Sequence, residues 1–260
     1  MSEQVRTARK GAALTISIER EARRNALNET VAAEIAAGLD EAEADRSIRA
    51  VILTGAGDKA FCAGGDLQPG ADGTPFVIDA ADPRHYVARL LRRMDDFRLP
   101  IIARVNGHAL AGGFGLVCAC DFAVVADHAR LGVPEARIGI FPMMILPFML
   151  RTISRRKLLE LCVTGEPISA ADALSYGVVN YVVPAAALDG KVDALVGSIT
   201  ASSPTAISIG RRALATIDSL SLQAGLEYAQ RVLPQLARTQ DAREGFRAFN
   251  EKRSPVWPGR

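Results

Sequence analysis

Short apolar runs that end in turns and alternate with helical stretches restrict what this chain can build. Ala50-Val51-Ile52-Leu53-Thr54 is a continuous apolar run stopped by Gly55-Ala56-Gly57, the pattern of a strand buried on both faces. Ile101 to Val105 and Phe122 to Val125 repeat it. Ahead of them, Ala13 to Glu19 alternates with period 2 and reads as a strand with one apolar face. Between the runs lie helical segments. From Asn28 to about Ala44, Val31, Ile35 and Leu39 recur at i, i+4 and i+8 behind Asn28 as N-cap. His85 to Phe97 and Ala111 to Ala119 also read as helices. Strand, helix, strand in succession predicts crossover units and an α/β fold.

Gln68 to Asp79 is a Gly/Pro/Asp-rich loop, and Arg130-Leu131-Gly132-Val133 leads through Pro134 into another. A Pro-interrupted apolar segment, a helical stretch around Lys157 to Val163 and a short strand at Val178 to Val183 follow. After Pro184 the composition shifts to helix formers, with helices expected around Leu188 to Ile199, Pro204 to Ile217, Leu220 to Leu236 and Asp241 to Lys252. The expected division is a core over 1–195 and a helical region over 196–260.

Composition narrows the function classes. Lys+Arg total 31 against Asp+Glu 29, a net charge of only +2, which gives no footprint for nucleic acid or for a cationic membrane surface. The aromatic content of 5% adds no stacking platform. Cys62, Cys118, Cys120 and Cys162 form no Cys-x-x-Cys pair and have no His at ligand spacing, so neither a metal site nor a disulfide framework is expected. His85, His108 and His128 stand apart from one another and read as structural or surface residues, with His108 notable for preceding a glycine-rich loop. The most apolar stretches, Ala109 to Ala126 and Ile138 to Leu150, are broken by glycines and Asp121 or by prolines, so no membrane span is expected. The start MSEQVRTARKG has no apolar h-region, and a cytoplasmic location is expected.

Two stretches run from a strand into glycines and then a helix start: Lys59-Ala60-Phe61-Cys62-Ala63-Gly64-Gly65-Asp66-Leu67, and Val105-Asn106-Gly107-His108-Ala109-Leu110-Ala111-Gly112-Gly113-Phe114-Gly115. Glycines there let a ligand approach the backbone, and a helix start offers unpaired N–H groups with positive partial charge. That is the chemistry of an anion or oxyanion site. Tight turns and close helix packing use the same glycines, and composition does not separate the two. No G-x-G-x-x-G opens the helix after the first strand, and no Gly-Lys-Ser/Thr occurs.

Taken with Leu131-Gly132-Val133-Pro134-Glu135 and Leu161-Cys162-Val163-Thr164-Gly165-Glu166-Pro167, these stretches resemble the enoyl-CoA hydratase/isomerase (crotonase) superfamily. The resemblance runs from Arg24-Asn25-Ala26-Leu27-Asn28 to Glu244-Gly245-Phe246 and on to Arg253. It implies a spiral of β-β-α turns, a topology that crossover units alone would not give, followed by a C-terminal helical trimerisation region. It further implies a homotrimer or hexamer, an acyl-CoA thioester as substrate, and no cofactor beyond the coenzyme A of that substrate. By the resemblance, Gly65 and Gly112 supply the two oxyanion-hole N–H groups. Arg24, Ala26, Ala63, Asp66 and Leu67 surround the CoA, and Phe249 and Lys252 reach it from a neighbouring subunit.

Two positions depart from the family pattern. Glu135 matches the second of two glutamates that hydratases carry, but the first falls on Gly115. An Asp used by other branches falls on Met143, inside the apolar segment Phe141 to Phe148, and such a wall should desolvate Glu135 and raise its pKa. One carboxylate suffices for a 1,3-proton shift, whereas hydration must also orient a water. Gly115 also opens space, and a subgroup of the family with Gly there is linked to hydration of branched or carboxylated enoyl-CoAs. Enoyl-CoA hydratase is therefore the leading expectation, Δ3,Δ2-enoyl-CoA isomerase the alternative, and a non-catalytic acyl-CoA binder a third.

Overall fold

The computed structural model describes residues 3–67 and 85–260; the loop expected over Gln68 to Asp79 lies outside them. Strands β1 (Val5–Lys10) and β2 (Ala13–Ile18) form an antiparallel hairpin turned at Gly11, whose φ is +59°. Helix α1 (Glu29–Ala44) starts at Asn28, whose Oδ1 accepts the Val31 N–H at 2.8 Å. β3 (Ala50–Gly55) then pairs parallel to β2, so the first crossover unit is as the periodicity predicts.

Each later turn contains a second strand that the periodicity does not show. β4 (Ala60–Cys62) leaves the plane of β3, and the described chain resumes at α2 (Tyr86–Asp96), whose N-cap His85 accepts the Val87 N–H. The pattern recurs as β5 (Ile101–Val105), β6 (His108–Leu110) and α3 (Gly112–Ala119), then as β7 (Phe122–Ala126) and β8 (Arg130–Gly132). After a 3-10 turn over Pro134–Ile138 come α4 (Leu146–Thr152), α5 (Arg155–Thr164), β9 (Ile168–Ser169), α6 (Ala170–Ser175) and β10 (Tyr181–Val183). First strands build a six-stranded sheet in the order β1-β2-β3-β5-β7-β10, and second strands a four-stranded sheet β4-β6-β8-β9. Within the first sheet only β1 runs antiparallel to its neighbour. This is the β-β-α spiral that the resemblance implies.

The second strands were hidden because three residues are too few to display a period. β1 was hidden for another reason: in VRTARK only Val5 is buried, so an edge strand is held by backbone pairing without an apolar face. The strand expected from Val178 starts at Tyr181. Asn180 pairs ahead of it, accepting the Ala123 N–H at 2.8 Å through its side chain and donating its own N–H to the Ala123 carbonyl at 3.1 Å.

Helices α7 (Leu188–Thr200), α8 (Pro204–Ile217), α9 (Leu222–Ala237) and α10 (Gln240–Asn250) complete the chain. α7 passes position 195 unbroken, and its Leu188, Val192 and Ile199 pack on Ile52, Ile102 and Val124 of the large sheet. α8 is pinned to the core by Arg211, which donates to Asp121 at 2.5 Å and to the carbonyls of Met94, Asp95 and Phe97 at the end of α2. These carbonyls lie at a helix C-terminus, where acceptors lack intrahelical partners and a cation is favoured; that of Met94 also accepts the Phe97 N–H at 3.4 Å. No helix among the described residues is long and apolar enough to cross a membrane.

Candidate active site

The two glycine-bearing stretches meet because β4 and β6 are parallel neighbours. Leu27 donates its N–H to the Gly64 carbonyl at 2.7 Å and accepts the Asp66 N–H at 2.6 Å. In a parallel bridge of this kind the residue between the two bonds, Gly65, directs its own N–H to the opposite side. On that side lies Gly112: a Cβ built there would stand 3.7 Å from the Gly65 nitrogen and 3.6 Å from the Gly64 Cα. Gly112 is the first residue of α3, where N–H groups have no intrahelical partner. Neither N–H has a partner among the described residues, so two backbone donors stand side by side.

Backbone geometry at this junction is unusual. Ala111 has φ 50° and ψ −125°, a conformation disfavoured for a residue with a Cβ, and Gly64 has φ +100°. A Cβ on Gly64 would stand 2.6 Å from the Ala111 Cβ, and one on Gly113 would collide with the Cys62 carbonyl. The glycines therefore do let two backbones approach. Below them Cys62 is fully buried, and desolvation pushes its thiol up to about 12.

Two asparagines fix the loops. Asn25 is fully buried with φ 56°; its Nδ2 donates to the carbonyls of Ala56 at 3.0 Å and Ala60 at 2.7 Å. Asn106 donates to the Gly57 carbonyl at 2.7 Å and accepts from the Gly55 N–H at 3.3 Å. Neither was selected from sequence, although each falls at the edge of a motif, where a buried amide signals loop chemistry.

Glu135 follows β8, which pairs with β6; the Ala111 N–H donates to the Gly132 carbonyl at 2.8 Å. Pro134 sets the start of the 3-10 turn and places Glu135 in its first turn. The side chain is buried, with 8% exposure, and its Oε2 has no hydrogen-bond partner among the described residues. Burial pushes its carboxyl above the ordinary value, and its own backbone N–H opposes the shift only in part. An unpartnered, desolvated carboxylate marks a functional group more often than a structural one.

The segment expected to cause that burial is itself partly buried in the single chain. Phe141 and Met144 are exposed and Met143 is 61% exposed. Pro142 is buried as well, and Ile145 turns inward at 3% exposure. It also fills the space next to Gly115: a Cβ there would collide with its Cγ2 and stand 2.5 Å from its Cβ. Gly115 is not an opening.

The residues matched to the CoA positions divide into two groups. Arg24, Ala26, Ala63, Asp66 and Leu67 come together, since Ala63 donates to the Arg24 carbonyl at 3.0 Å beside the Leu27 bridge. Arg24, with φ 51°, and Leu67 are exposed, Ala26 is buried, and the Arg24 side chain forms no ion pair among the described residues. The Asp66 carboxylate is occupied by Arg20 at 2.7 Å and Arg23 at 2.5 Å, which together hold it below the usual carboxylate range. Asp66→Ala should cost about 1.5–3 kcal/mol at neutral pH by removing charged hydrogen bonds. In the parent protein this stabilisation is present above the unfolded carboxyl pKa of about 3.9 and lost as pH falls through the depressed folded value. Thermal melts at pH 7 and pH 3 on the two proteins should therefore differ at the first pH and converge towards the second.

Phe249, 82% exposed, and Lys252, with φ 52°, lie at the end of α10, separate from that group on the same chain. The structure does not bring them to the paired glycines within one subunit.

Comparison with known proteins agrees with this architecture. Residues 8–260 match the profile of the family described as enoyl-CoA hydratase/isomerase. A carnitinyl-CoA dehydratase of Salmonella arizonae is 34% identical over 267 residues, covering 100% of both chains. Among solved structures, an enoyl-CoA hydratase from Bacillus anthracis superposes with a TM-score of 0.88 at 32% identity, covering 99% of this chain and 100% of that one. One from Mycobacterium smegmatis gives 0.89 at 30% identity, with 98% and 99% covered.

Proposed function

The chain belongs to the enoyl-CoA hydratase/isomerase family, and from that membership we propose that it is an enoyl-CoA hydratase acting through Glu135. The paired N–H groups of Gly65 and Gly112 receive the thioester oxygen and hold it as it becomes an enolate oxygen. Glu135 takes a proton from water while the water oxygen bonds to C3 of a 2-enoyl thioester, and then returns that proton to C2. A raised pKa suits a group that must both accept and donate near neutral pH. The observation that carries this reading is the buried, unpartnered Glu135 oxygen beyond the strand that pairs beside the Gly112 helix. A relative named for dehydration of carnitinyl-CoA supports water chemistry over the alternatives.

A second reading, isomerisation of a 3-enoyl thioester, is favoured by Ile145, which leaves no room at Gly115 for a second water-holding group. Here Glu135 takes the proton from C2, the double bond moves from C3=C4 to C2=C3, and the proton is returned to C4. The test is to incubate the pure protein with 2-enoyl-, 3-enoyl- and 3-methylglutaconyl-CoA and weigh the products. Gain of one water supports hydration, and an unchanged mass with a moved double bond supports isomerisation. CoA-ester binding without turnover would overturn both and leave an acyl-CoA binder.

Residues 196–260 serve assembly in this proposal. Leu214, Leu222, Leu226, Leu233 and Phe246 are exposed on α8 to α10, and large apolar side chains left to water mark interaction surfaces when they adjoin. A homotrimer or hexamer would cover this surface and bring Phe249 and Lys252 to a neighbour's CoA.

A further inference from the structure

We infer that Ile145 determines which product leaves this site, by keeping water away from the Gly115 side of the oxyanion helix; this rests on the enolate reading proposed above. Gly115 lies three residues after Gly112, so the two share a face of α3. The position is buried, and all three atoms nearest to a Cβ built there belong to Ile145. Ile145 cannot easily retreat. Its N–H donates to the Pro142 carbonyl at 3.3 Å, and its carbonyl accepts the N–H groups of Phe148 and Met149 at 3.1 Å, so its backbone is the start of α4. Gly115 and Ile145 thus form a matched pair, in which one residue lacks a side chain and the other supplies an apolar one in its place.

The chemical consequence follows from what an apolar plug excludes. A water needs space and two or more polar partners, and this side of the site offers a hydrocarbon surface. Once Glu135 has moved a proton from C2 to C4, the resulting 2-enoyl thioester is the species that water can attack at C3, and with no water held on the Gly115 side its hydration is slowed relative to its release. Shortening Ile145 opens a pocket beside the reacting carbons.

The test measures products and folding together. Ile145→Ala is given a 3-enoyl-CoA, and the ratio of hydrated to isomerised product is read by mass. Removing the branched side chain should raise the ratio by about tenfold, the scale on which a pocket discriminates small apolar groups. Ile145→Val should shift it less, in the same direction, and provides the measurement should the alanine variant not fold. In thermal melts Gly115→Ala should lower the midpoint by collision, and the double variant Gly115→Ala with Ile145→Ala should recover more than the sum of the single effects allows. An unchanged product ratio in a folded variant, or strictly additive melts, would overturn the inference. Glu135→Gln run alongside separates the two failures. If it abolishes turnover while the Ile145 ratio stays fixed, the role of Ile145 is wrong and the enolate reading stands. If it turns over like the parent, the enolate reading falls and this inference with it.

Discussion

Replacing Glu135 by Gln is expected to lower turnover of an enoyl-CoA by about 10²–10⁴-fold, the usual worth of a positioned acid or base. The change keeps the shape of the side chain, so a loss of this size reports proton transfer. Two further signatures follow from burial. If the carboxylate is the acting base, kcat/KM should fall as pH drops through the raised pKa of Glu135. Its effect on stability has the opposite sign from that of an ion-paired acid. Because the folded pKa lies above the ordinary 4.5, the native state binds more protons than the unfolded state between the two values. Stability falls as pH rises through that window, and the penalty persists above it. Glu135→Gln should therefore melt at a higher temperature than the parent at neutral pH, with the gap closing below the ordinary carboxyl pKa. Loss of activity with gain of stability is the pattern of a site that holds a charge for chemistry.

Gly112→Pro is expected to cost about 10²–10³-fold in kcat, equivalent to about 2.7–4 kcal/mol for one oxyanion donor. Ordinary substitutions keep the backbone N–H, whereas proline removes it. Gly112 is the first helical residue, a position where proline is favoured. The Cβ of a proline there would stand 3.3 Å from the Leu27 Cδ1 and 3.6 Å from the Gly64 Cα. The melting curve should stay cooperative, and substrate binding should weaken less than turnover, since the donor acts most strongly on the developing negative charge.

Much of this site was legible in the sequence, and the portions that were not share a physical cause. The apolar pentads around Ile52 and Ile102 show buried parallel strands because burial on both faces leaves a continuous signal. β4, β6 and β8, which carry the glycine loops and lead to Glu135, have three residues each and leave none. The glycines at 64, 65 and 112 are visible, but not the reason they lie together, which is a bridge to Leu27 set by the buried amides of Asn25 and Asn106. Absence is the hardest feature to interpret. Gly115 reads as a missing carboxylate and suggests open space, but a glycine records only that its own side chain is absent. What occupies the volume, here Ile145 from thirty residues along the chain, is decided by packing between α3 and α4.

Removal of the C2 proton by Glu135 is common to isomerising a 3-enoyl thioester and, in reverse, to dehydrating a 3-hydroxyacyl thioester. The most direct measurement is therefore turnover of both substrates carrying deuterium or hydrogen at C2, in the parent protein and in Glu135→Gln. The parent should process at least one of them, more slowly when C2 is deuterated, and the variant should lose about 10²-fold or more in that same step. Equal turnover by the two proteins, with the same response to deuterium, would contradict the assignment of Glu135.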